Sequence, residues 1–291
     1  MNRCFAFVGA LLLAFIAVSS ACTAAPTQWV HFSLEPGHRD GSTIHASFRN
    51  EREGRNENDW STDFRTSELV GLDTAGFRAG GTRPLRFAII REAGRLDCAG
   101  QGGESYAAGN CSFSANPQFS QLLVSRGIGR PTEEQSFGLM AVNARRDVID
   151  AVTVARYPTP SMNDLMALSA LGVGGNYIAS LAHAGYRPQS ISSLIQFKAL
   201  DITPEWIGGF AQIGYANVPA DELVQLKALD ITPQFIAGFD RVGYRHLPVD
   251  KLVQLKALDI TPEFVSRISA VDGGLPTVDK LVQIKALGKI R

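Results

Sequence analysis

Cysteine, histidine, four carboxylates and a lysine series are the side chains whose types and spacing invite chemistry. With Cys4 and Cys22 set aside in an N-terminal export segment, Cys98 and Cys111 remain as an even pair. Neither a CxxC spacing nor a nearby histidine favours a reactive thiol, so a structural disulfide is expected. Closing a loop of that size stabilises by about 3 kcal/mol through the lost entropy of the unfolded chain. His31, His38 and His45 recur every seven residues. That period does not converge three side chains on a hairpin, and no Cys or acidic ligand joins them at a metal-site spacing, so they read as exposed strand histidines. Asp63, Glu68, Asp97 and Glu104 offer carboxylates for general acid–base hydrolysis if two of them converge, which spacing alone leaves open. HExxH, GxSxG, a P-loop and a dinucleotide glycine fingerprint are absent, and Gly127-Ile128-Gly129 lacks the third glycine. No metal, cofactor or catalytic residue is assigned.

Two polar columns are more regular. Gln196, Gln225, Gln254 and Gln283, with Lys198, Lys227, Lys256 and Lys285, repeat every 29 residues. One reading is a ladder of identical contacts for an extended protein or peptide partner. The other is a solvated face on which each lysine, near a helix C-terminus, is favoured by the helix dipole. Neither column belongs to the apolar stripe, so changing Lys227 and Lys256 to Glu is expected to leave helix content unchanged.

The elements that must position these groups follow from the same repeat. Leu165, Leu194, Leu223, Leu252 and Leu281 share the spacing, and Leu223–Pro233 and Leu252–Pro262 are both LVQLKALDITP. Leu223, Leu226 and Leu229 mark one helical face, and Phe235, Ile236 and Phe239 mark another beyond Thr232-Pro233. Each unit is therefore a helical hairpin. Thr203, Thr232 and Thr261 are placed as N-caps, Pro204, Pro233 and Pro262 as first helical residues, and Gly185, Gly214 and Gly243 as left-handed stops. Tyr186, Tyr215 and Tyr244 follow, where a ring can pack back on the last turn. Helices of this length are too short to stand alone, so the copies must stack as an α-solenoid over 131–291, about five and a half units and roughly 50 Å long.

Residues 27–125 alternate instead with period two, at Val30, Phe32 and Leu34, at Thr43 to Arg49, and again at Leu85 to Arg91. Arg95 to Ala99 and Cys111 to Ser114 complete an antiparallel β domain around a Gly-rich turn, Gln101 to Asn110. Asn50 to Asp59 is expected as a loop. The fold class is thus α+β, an N-terminal antiparallel β domain followed by an all-α solenoid.

Basic and acidic side chains balance at 28 each, which excludes a nucleic-acid footprint. All seven lysines lie from Lys198 onward, a composition shift that marks the domain boundary. Arg3, the apolar run Phe5 to Val18 and the small residues that follow read as a signal peptide over 1–21, which places the chain in the periplasm or beyond. Val18-Ser19-Ser20-Ala21-Cys22 resembles a lipobox with Ser19 in place of the favoured Leu, so Cys22 is a lipidation candidate. The alternative is ordinary cleavage near Ala24 or Ala25.

LVQLKALDITPQFI, with its GY some eight residues on, resembles a helical repeat of bacterial envelope proteins. Some copies trail membrane metallopeptidases of the β-lactam-sensor type. Asp201, Asp230 and Asp259 stand where that repeat usually has Gly. The resemblance also touches Leu85 to Phe119 and implies an envelope sensing or binding role. It does not carry the peptidase, which needs several membrane spans and HExxH. The expected function is an exported, non-catalytic binding or scaffold protein. A hydrolase working from the β domain and a purely structural spacer stand as alternatives.

Overall fold

Strand pairing begins where the alternation does. The computed structural model describes residues 28–37, 42–52 and 55–288. The segment expected to be a signal peptide, with Cys22, and His38 lie outside the described residues. Strands β1 (Gln28–Pro36), β2 (Thr43–Arg52) and β3 (Arg55–Arg65) form one antiparallel meander, and β4 (Arg83–Arg91), β5 (Gly94–Gly103) and β6 (Tyr106–Ala115) a second. β1 joins them by pairing with β6, giving the order β3-β2-β1-β6-β5-β4. Val30, Phe32, Leu34, Ile44, Phe48, Phe87, Leu96 and Phe113 alternate onto one buried face.

Two sequence expectations need correction. Asn50 to Asp59 is not a loop, because β2 runs to Arg52 and β3 starts at Arg55, with the register shifting between Asn50 and Glu51. Ladder hydrogen bonds form between backbones, so a polar hairpin end can pair without the alternation that advertises a strand. The Gly-rich turn is likewise much shorter than expected. Strand pairing runs to Gly103 and resumes at Tyr106, leaving Glu104 and Ser105 at φ 54° and 65°. Positive φ at both central residues suits the twist of a two-residue hairpin. Gly109 belongs to the strand because Phe32 needs the room: a Cβ there would fall 2.9 Å from Phe32 Cε1 and 2.3 Å from the Ala99 oxygen.

Cys98 and Cys111 face each other on β5 and β6 and are joined, with Cα atoms 4.0 Å apart. Short helix α1 (Thr74–Arg78) holds the β5–β6 turn, since Glu104 N donates to Ala79 O and Ser105 N to Phe77 O. Helix α2 (Pro117–Ser125) starts on the side chain of Asn116, and its Phe119 and Leu123 enter the core.

The helical array follows in two series. First helices are α3 (Glu133–Ala141), α5 (Met162–Ala170), α7 (Ile191–Ala199), α9 (Ala220–Ala228), α11 (Val249–Ala257) and α13 (Val278–Ala286). Second helices are α4 (Arg146–Val154), α6 (Gly175–His183), α8 (Pro204–Gln212), α10 (Pro233–Arg241) and α12 (Pro262–Asp272). Thr203, Thr232 and Thr261 each accept a hydrogen bond from the backbone N–H three residues on, at 3.2 Å. Gly185, Gly214 and Gly243 take φ of 75°, 91° and 107°, as the stop position requires. Asp201, Asp230 and Asp259 are left-handed too, at φ 52°, 51° and 51°, and so do a glycine's work at the end of the first helix.

The sheet and the array share one core. Phe113 of β6 meets Phe137 of α3 edge to face at 5.4 Å. Arg91 on β4 reaches over and donates to Met140 O and Ala141 O at 2.8 and 2.6 Å, two carbonyls in the last turn of α3, the first of which also accepts from Asn143 N. Its guanidinium also lies over Trp60 and Phe64, and burial holds it below its ordinary pKa, opposed by Glu68.

Candidate functional site

The lysine column is built into the array. Nζ of Lys198 sits 4.9 Å from the centre of the Tyr177 ring, Lys227 5.0 Å from Trp206, Lys256 5.1 Å from Phe235, and Lys285 5.2 Å from Phe264. Each ring is the third residue of the preceding second helix. Lys256 and Lys285 also donate to Asp230 O and Asp259 O at 3.1 Å, carbonyls at the left-handed end of the preceding first helix. These lysines thus join neighbouring units through a cation–π contact, worth about 0.5–1 kcal/mol where water still reaches it. The aromatic column was missed in the sequence, although Tyr177, Trp206, Phe235 and Phe264 keep the same 29-residue spacing. What hid it was the change of ring type from copy to copy.

Beside the lysines, Gln196, Gln225 and Gln283 are exposed, while Gln254 is half-buried with Lys251 Nζ 3.4 Å from its Oε1. The apolar stripe under them is fully packed, with Leu194, Leu223, Leu252 and Leu281 at most 1% exposed. The exposed amides therefore stand on a closely packed floor.

The tyrosine column does more than pack. Tyr215 Oη donates to Leu247 O at 2.7 Å, and Tyr186 and Tyr244 make the equivalent bonds to Val218 O and Pro276 O. Every one of these links a unit to the next. Tyr177 Oη adds a bond to Ile202 O at 2.8 Å. Burial, followed by nearby acids, pushes Tyr177, Tyr186 and Tyr215 up to about 12.

The carboxylates considered for hydrolysis do not gather. Asp63 on β3 pairs with His45 Nδ1 at 2.7 Å, Glu68 with Arg65 at 3.4 Å, and Asp97 on β5 with Arg95 at 2.7 Å. Asp63 and Asp97 stand on strands that are not neighbours in the sheet, and each carboxylate is answered by its own partner rather than by the other. Glu104 occupies the β5–β6 turn. His31 and His45 are not opposite each other either, because His31 faces Arg49 and His45 faces Glu35. Among the described residues no group of three His, Cys, Asp or Glu is placed to hold a metal, and no single helix is long and apolar enough to cross a membrane.

Comparison with known protein families, curated proteins and solved structures finds no match.

Proposed function

We propose that this chain is an exported, non-catalytic binding protein of the bacterial envelope whose helical array holds an extended stretch of a protein or peptide partner. The observation that carries the reading is the column of exposed glutamines on α7, α9 and α13, held beside lysines that fix the spacing between units. A carboxamide both donates and accepts, as a peptide group does. Neighbouring helices pack about 8–10 Å apart, and three residues of an extended chain span about 10 Å, so successive units meet every third residue of a bound strand. Periplasmic or secreted location, an optional lipid anchor at Cys22, and kinship with the envelope repeat proteins belong to this proposal. The balanced charge leaves nucleic acid out of it.

The experiment is affinity capture from envelope extract with the mature protein and with Gln196, Gln225 and Gln283 all changed to Ala. Loss of the captured partner, with the far-ultraviolet spectrum unchanged, supports the reading. Undiminished capture moves the partner surface elsewhere. Lys227→Glu with Lys256→Glu is a poorer probe than the sequence suggested. It removes two cation–π contacts and one hydrogen bond between units and is expected to lower the melting temperature along with any effect on capture.

The hydrolase alternative keeps one supporting observation, the Asp63 carboxylate on His45 Nδ1, an arrangement that orients an imidazole as a base. Activity on a chromogenic ester that vanishes with Asp63→Asn would favour it.

A further inference from the structure

The outward face of the sheet holds an open cavity of about 470 Å³, distinct from the helical array and within the range of small-molecule sites. Strand register explains its shape. Ser33 stands opposite Ser47, and Ser47 opposite Ser61, so three short hydroxymethyl groups from β1, β2 and β3 lie side by side on the floor. With strands about 4.8 Å apart, that floor is roughly 10 Å across. Two residues along each strand, His31, Arg49 and Asp59 form a wall in the same order. Tyr106 on β6, 51% exposed, also lines the space.

The chemistry of the lining selects a class of ligand. Arg49 Nε lies 3.4 Å from Asp59 Oδ1, so among the described lining residues the one arginine and the one carboxylate answer each other. Among the described lining residues no further arginine, lysine or carboxylate is present to neutralise an ionic ligand. The three serine hydroxyls each donate and accept, and the imidazole and phenol add polar edges, which suits a ligand that is itself dense in hydroxyls. The Tyr106 ring offers an apolar surface of the kind that the C–H face of a sugar covers. Serine suits a strand less well than threonine does, and threonine's extra methyl would fill the floor, so these positions give up strand preference and keep the space.

We propose that this cavity binds a neutral saccharide of one or two rings, seated across β1, β2 and β3. The test titrates the mature protein with maltose and with N,N′-diacetylchitobiose, following backbone amide shifts by NMR. A neutral tripeptide and a sugar phosphate serve as comparison probes. Expected are saturable shifts around Ser33, Ser47 and Ser61 with at least one disaccharide, and binding weakened about tenfold or more by Ser47→Leu, which fills the floor. Should Ser47→Leu fail to fold, Tyr106→Ala takes its place with the same expected loss. The proposal is overturned if neither disaccharide moves these amides at millimolar concentration or if the folded variant binds as well as the parent. A response to the tripeptide or the sugar phosphate alone also overturns it.

Discussion

In the sheet, Val30 on the first strand lies against Cys111 on the last, and each such pair occurs once. In the array, Tyr215 reaches only to Leu247, 32 residues on, and Tyr186 and Tyr244 repeat the step. The two regions thus bury apolar surface over opposite ranges of contact. A sheet closed by β1 and β6 is complete only when both ends of the region have met, whereas the array gains stability unit by unit from neighbours. The difference bears on chemistry too. The array repeats one set of side chains along a line, and the sheet assembles different side chains at one place, which is why an extended partner is proposed for the first and a compact ligand for the second.

Truncation of the core tests this contrast most strongly. Leu226→Ala and Leu255→Ala remove the same fully buried side chain from successive units. Each is expected to cost about 2–5 kcal/mol, the two agreeing within about 1 kcal/mol, in urea denaturation followed by helix signal. Phe113→Ala, which has no counterpart elsewhere in the chain, is expected to cost about 3–5 kcal/mol. Widely different costs for the two leucines would break the picture of equivalent units.

The disulfide comes next. Its 13-residue separation corresponds to about 3 kcal/mol, so Cys98→Ala with Cys111→Ala should lower stability by roughly that amount. The loss should fall on the sheet, with faster hydrogen exchange in β5 and β6 and little change in α9 to α12. Mass spectrometry of the unreduced protein checks the bond itself, and two free thiols there would remove it from the account.

Alkaline pH gives the smallest and most selective effect. Tyrosine ionises near 10 when unfolded and near 12 at Tyr177, Tyr186 and Tyr215, so the folded state holds its protons longer. Stability from these phenols is complete below about pH 10 and declines as pH rises toward 12. Helix signal should weaken over that window before the sheet is lost. Tyr215→Phe should cost about 1 kcal/mol at neutral pH and blunt the alkaline decline. Melting of both regions together would show the phenol links to be incidental.

Much of this was legible in the sequence. The caps at Thr203, Thr232 and Thr261 and the stops at Gly185, Gly214 and Gly243 act within a few residues, so local spacing reports them. The alternation at Val30 to Leu34 and Leu85 to Arg91 marked strands because one face of each is buried. β3 escaped notice because its start, Arg55 to Asp59, is polar on every residue and gives no period to read. Of the candidate binding residues, the glutamines are exposed as a ladder requires, apart from Gln254. The lysines are engaged with rings from the preceding unit, an assignment that a one-dimensional spacing could not make.

By itself the sequence determined most of the helices and the apolar strands, where the repeat lies, and which cysteines could pair, since propensity, capping and periodicity are properties of neighbours along the chain. Only the tertiary structure decided that β1 lies between β2 and β6, that Arg91 reaches the end of α3, that each lysine of the 29-residue column covers an aromatic ring, and that three serines line one hollow. Those outcomes depend on register and on the distance between helices. Both are set by how whole elements pack, with side chains from remote parts of the chain filling a shared volume.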